Sequence, residues 1–273
     1  MRVASENFSE RSTLPFPIPF FMSSAASLWP REEFIQRLRN VGTSRYHHLH
    51  PVHVLMNAGK LDEASIRTWV INRFYYQINI PIKDAAILSN CPLRDVRRTW
   101  RHRIEDHDGF EGAEKPGGIE SWLRLGSACG ISQEEMFDPR SILPGVRFSV
   151  DAYVNFTRTK PWPIAMASSL TELFAPDLMA DRLRAFETHY TWVKPWGFDY
   201  FKKRLTQART DSNEGLEITI RYCDTPALQQ EAVDALSFKC DVLWSMLDAI
   251  AIACGIPLSK PGTHESSPSP ART

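Results

Sequence analysis

NRFYYQINIPIKDAA, Asn72 to Ala86, decides how the rest of the chain is read. At the helical period Arg73, Gln77, Ile80, Lys83 and Asp84 fall along one side, and Phe74, Ile78 and Ala85 along another. The segment is too apolar for a solvated helix, yet one stripe carries Arg, Gln and Lys, which a surface helix turns to water. Tyr75 and Tyr76 flank the stripe and Pro81 interrupts it. Proline removes a backbone donor and crowds the carbonyl of Gln77, which predicts a kink. Two readings are open. Either this is a core helix whose Arg and Lys are paired or snorkel outward, or a kinked helix that makes room for a polar ligand inside a bundle.

Outward from this stretch the pattern stays helical. REEFIQRLRNVG, from Arg31, has acidic residues in its first turn and Gly42 near its end. TSRYHHLHPVH reads as a polar loop, with Asp62 or Ser65 capping the helix that follows. CPLRDVRRTWRHRIEDHDG reads as one helix ended by Gly109, and ISQEEMF opens with Ser132 and Glu135 in a capping box. Amphipathic stretches continue through VRFSVDAYVNFTRT, DLMADRLRAFETHY and a long helix after Trp196, to a last helix over 227–254. Strand-like alternation bounded by hairpin turns is missing. The expected fold is one all-α bundle of about seven or more helices spanning 29–256. Residues 1–28, rich in Ser, Pro and Phe without a period, read as a flexible extension, and 257–273 as a disordered tail.

Composition narrows the function classes. With 32 basic and 32 acidic residues the chain lacks the concentrated positive charge that nucleic acid requires. The RRTWRHR run at 97–103 is answered at once by IEDHD, the pattern of a solvated helix face. Five scattered cysteines without a CxxC read as reduced thiols of a cytoplasmic protein. No secretory leader is expected, because LPFPIPFFM is broken by three prolines. The late apolar run carries Asp234, Lys239, Asp241 and Asp248, so it is expected as a buried helix and no membrane span.

Four groups of residues carry possible chemistry. His47, His48, His50 and His53 lie within one short stretch, but no HExxH or paired ExxH set accompanies them. Capping and ligand contact or metal binding would each use such histidines. Arg103 and His107 share a helix face, the histidine being either a dipole-stabilised C-terminal residue or a proton acceptor. Tyr200 and Arg204 repeat the spacing, as a stacked pair or as site residues. Lys239 lies on the stripe Leu236, Lys239, Leu243, Met246, where an ammonium needs a carboxylate from the protein or from a ligand. If the faces bearing Arg73, Lys83, Arg103, His107, Arg204 and Lys239 converge, the bundle holds a positive cavity for a small polyanion.

The strings YHHLHPVH, NRFYYQINIPIKDAAILSNCP, DHDG, GGIESWLRLG, LPGVRFSVDAY, SSLTELFAP, HYTWVKPWGFDYFKKRL and LSFKCDVLWSMLDA closely resemble the pyrroloquinoline-quinone synthase family. The resemblance runs in order from Glu33 to Ala253, with a slightly longer loop around 114–116. It implies a haem-oxygenase-like or thiaminase-like helical bundle, usually a homodimer, using no metal or organic cofactor. It further implies that a bicyclic tricarboxylate is ring-closed and oxidised by O2, with release of hydrogen peroxide and the quinone. Carried over by position, Tyr46, His47, Arg73, Gln77, Lys83, Arg103, Tyr153, Arg182 and Lys239 would line the substrate cavity. His107, Tyr200 and Arg204 would sit where O2 reacts, with His107 as candidate base and His47 a further donor. Met179 stands where the family pattern has a histidine, and methionine neither shuttles a proton nor donates a hydrogen bond. Two other functions compete: a metal-dependent oxygenase of the same shape using His47, His50, His53 and His107, and a carrier of the quinone or its precursor. A thiaminase-like hydrolase fits less well, since no cysteine lies in a nucleophile motif.

Overall fold

The computed structural model describes residues 27–113 and 116–260, and every regular element among them is helical. The extension and tail expected at the two ends, and the loop at 114–116, fall mostly outside the described residues. The first part of the chain forms α1 (Arg31–Arg45), α2 (Pro51–Asn57), α3 (Glu63–Asn90), α4 (Arg94–Trp100), α5 (His102–Asp108) and α6 (Gly118–Ala128). After α7 (Gln133–Phe137) come α8 (Pro144–Thr159), α9 (Trp162–Ala167), α10 (Ala175–His189), α11 (Asp199–Tyr222) and α12 (Pro226–Ala253). Short 3₁₀ turns at His47–Leu49 and Ser168–Phe174 matter for the site.

Helices α3 and α12 are the two longest, 28 residues each, and both pack on α8. Each begins at a side-chain cap: Asp62 accepts from the Ser65 amide at 2.8 Å, and Thr225 from the Leu228 amide at 3.2 Å. Ser132 caps α7 in the same way, through Glu135. Between the long helices and α10–α11 lies an aromatic core in which Trp122 meets Trp69 and Tyr200 edge-on, centroids 5.3 and 4.7 Å apart. Helix α3 runs through the buried Pro81, whose missing N–H leaves the Gln77 carbonyl without its intrahelical donor.

Two expectations need correction. The stretch 92–109 is two helices, parted at Arg101. There the ring of His102 bonds the Thr99 carbonyl, competing with the backbone N–H that would continue the ladder. The break leaves Arg98 and Arg101 in solvent while Trp100, Arg103 and His107 turn inward. The histidine-rich stretch is no loop either: Pro51 opens α2, and His50 caps it by accepting the Val52 amide at 3.1 Å.

Candidate active site

Side chains from α3, α5, α8, α10, α11, α12 and both 3₁₀ turns surround one cavity of about 70 Å³. Helix α3 contributes Arg73, Tyr76, Ile80 and Lys83 to its wall, α5 Arg103 and His107, and α11 Tyr200 and Arg204. Tyr46 and His47, Tyr153, and Met179 with Arg182 close the other sides. Gln77 and Lys239 stand directly behind this lining.

Gln77 is fully buried and joins two of these elements. Its amide nitrogen lies 2.6 Å from Nδ1 of His107, and its oxygen accepts from the Tyr200 hydroxyl at 3.0 Å. A Cβ on Gly118 would come within 2.9 Å of both the Gln77 amide and the His107 ring, so the pair closes only over a glycine. Gly109, at φ +79, ends α5 just beyond His107.

Two carboxylates hold the cations of the next wall. Asp84, wholly buried, accepts from Lys83 Nζ at 2.6 Å and from the Trp100 indole at 2.9 Å, with Arg103 Nε at 3.7 Å. Lys83 also donates to Ser169 Oγ at 2.7 Å, and Tyr153 stands 3.4 Å from that oxygen. Glu172, on the Ser168–Phe174 turn, takes Arg103 and Arg204 on one oxygen. Tyr200 and Arg204 therefore face different partners.

Lys239 finds no carboxylate as its nearest partner. Its Nζ donates to the Tyr76 hydroxyl at 2.6 Å and sits over the Tyr153 ring at 3.6 Å. Burial, then Lys83 and Arg73 nearby, hold this ammonium well below the usual lysine range. Replacing Lys239 by methionine removes that desolvated charge at similar volume. The melting temperature of K239M is expected to rise, and its affinity for a polyanionic ligand to fall by tenfold or more. Differential scanning fluorimetry with and without ligand reads both changes, and an unchanged affinity would separate Lys239 from the site.

On the far side Arg182 lies over Trp69 and donates to Nε2 of His53 at 2.9 Å, while His53 Nδ1 faces the His47 carbonyl at 2.9 Å. Those contacts fix a neutral His53 with its proton on Nδ1. Burial and then Arg182 push both His47 and His53 well below the ordinary histidine range. Burial likewise lowers Arg182, to about 10. Below about pH 6.5 the unfolded chain binds protons that these two folded imidazoles refuse, so stability falls as pH falls. Thermal midpoints at pH 7 and 5 should show this, and His53→Gln, which keeps both contacts without titrating, should flatten the slope.

Of the four histidines of the metal reading only His47 and His53 lie together, ring centroids 4.7 Å apart. His50 Nε2 is 3.1 Å from Asp248, His53 serves Arg182 and His107 serves Gln77. Among the described residues no three His, Cys, Asp or Glu side chains are grouped to hold a metal ion. Glu172, Ser169 and Thr171 are wall residues that the sequence did not single out, because a single 3₁₀ turn offers no periodicity to read.

The all-helical fold around this cavity is shared with other proteins. The chain belongs to the TENA/THI-4/PQQC family, which it matches over residues 35–249. Pyrroloquinoline-quinone synthase of Cronobacter sakazakii is 53% identical over 222 residues, covering 81% of this chain and 87% of that protein. The protein of the same name from Pseudomonas aeruginosa is 51% identical over 244 residues, covering 89% and 94%. The fold matches a solved TenA homologue from Pseudomonas syringae at 16% identity (TM-score 0.65, covering 81% of this chain and 92% of that one). It matches equally a haem-oxygenase-like domain from Shewanella denitrificans, at 12% identity (TM-score 0.65, covering 81% and 90%). No described helix is long and apolar enough to cross a membrane.

Proposed function

We propose that this protein is an enzyme of pyrroloquinoline quinone biosynthesis that closes the last ring of a bicyclic tricarboxylate and oxidises it with O2, using no metal or organic cofactor and working in the cytoplasm as a homodimer. The observation that carries this is the incompletely paired cationic wall. Nη1 of Arg73, Nε of Arg182 and Nδ1 of His47 are buried at the cavity without a hydrogen-bond partner among the described residues. Buried donors are costly unless something accepts from them, and several carboxylates on one small guest would do so. The names and identities of the curated relatives support a role in making pyrroloquinoline quinone.

His107 is the base. Its Nδ1 is turned to Gln77, so the proton taken from the guest arrives at Nε2. Nε2 can accept only while Nδ1 carries the ring proton. That tautomer requires the Gln77 amide to turn over from its orientation in the free protein, its oxygen then accepting from Nδ1–H and its nitrogen donating to Tyr200 Oη. Loss of C–H and N–H protons makes the guest electron-rich enough to reduce O2 directly. Each pair of electrons and protons removed turns one O2 into H2O2, whose negatively charged precursors are held by the fixed donors Arg204, Tyr200 and His47. Met179 lies in this wall and can neither give nor take a proton, so proton traffic falls on His107 and Tyr200.

Chelator-treated protein, incubated in air with the tricarboxylate precursor, should produce the quinone absorbance and hydrogen peroxide. Unchanged precursor in the presence of folded protein overturns the reading. Tight quinone binding without O2 consumption would instead favour the carrier, the reading that Met179 supports.

A further inference from the structure

Resting on that substrate class, we infer that Glu172 is a displaceable internal anion: it holds Arg103 and Arg204 in the free protein and yields them to a carboxylate of the guest. The two carboxylates of the site are built differently. Asp84 is wholly buried on the C-terminal part of α3, and one oxygen is fixed by the Lys83 ammonium and the Trp100 indole. Its short side chain has nowhere to go. Glu172 lines the cavity itself, its side chain 15% exposed, on a seven-residue 3₁₀ turn whose hydrogen-bond geometry is poorer than an α-helix's. A single oxygen of Glu172 takes Nη2 of both arginines, the position a guest carboxylate would occupy.

Space and charge both require an exchange. A cavity of about 70 Å³ has room for a few waters, whereas ligand pockets typically span ~300–1,000 Å³. A bicyclic guest must therefore move side chains. A guest carboxylate placed beside an undisplaced Glu172 would meet a like charge in a water-poor chamber. In the free protein the same glutamate is a counter-charge shared by two buried guanidiniums. The device makes binding weaker than the cationic wall alone would allow, and lets product leave.

Titration with pyrroloquinoline quinone as probe tests this. Glu172→Gln keeps the shape and removes the charge, so the quinone should bind about tenfold tighter or more, the scale of one charge-assisted hydrogen bond. Stopped-flow dissociation should slow in proportion, while Glu172→Asp, which keeps the charge, should show none of that gain in affinity. Equal or weaker binding by Glu172→Gln overturns the inference and makes Glu172 a fixed positioning residue. Should that variant fail to fold, a wild-type crystal structure with the quinone bound decides: Glu172 turned away from Arg103 and Arg204 supports the inference, and Glu172 still between them refutes it. Wild type that binds no quinone sinks the substrate reading itself, and this inference with it.

Discussion

Alanine at His107 should lower turnover by about 10²–10⁴-fold while leaving quinone affinity within a few-fold of wild type. The imidazole lines the cavity and can accept a proton at Nε2, and the arginines and lysines around it remain to hold the guest. His107→Asn sharpens the test. Asparagine can still bond Gln77, preserving the link from α3 to Tyr200 on α11, yet it cannot act as a base. Anaerobic single-turnover mixing separates proton removal from oxidation: both variants should bind the precursor and stall before the electron-rich anion forms. Equal losses of binding and turnover would show instead that His107 shapes the pocket.

Asp84→Ala is expected to cost about 3–5 kcal/mol of stability, because it leaves the buried Lys83 ammonium without its carboxylate and removes a second carboxylate from beside Arg103. For a domain of this size that is a fall of about 10 °C or more in melting temperature. The indole of Trp100 loses its acceptor as well. Lys83→Met in the same background should recover part of the loss, since an unpaired ammonium is worse than none. Thermal and urea denaturation of the single and double variants measures this. A loss below about 1 kcal/mol would mean that Ser169 and the ring faces of Trp100 and Tyr153 suffice for the cations.

These two residues also mark how far the chain could be read unaided. Asp84 stood on the polar stripe of 72–86, and that stripe does face inward, with Gln77, Ile80, Lys83 and Asp84 buried. Ile78 and Ala85, placed on a second apolar side, are half-buried and exposed. His107 was one of two readings by spacing, and only the family resemblance placed it beside the guest.

The all-helical class, the cap at Ser132, the choice between Asp62 and Ser65 at the start of α3, and the buried stripes of α3 and α12 were legible in the sequence, because helical periodicity and capping act over a few residues. Tertiary structure alone decided that Lys239 meets Tyr76 across 163 residues and that Arg103 meets Glu172 across 69. Those contacts depend on how distant helices pack, and one-dimensional spacing carries no information about which inward faces share a chamber.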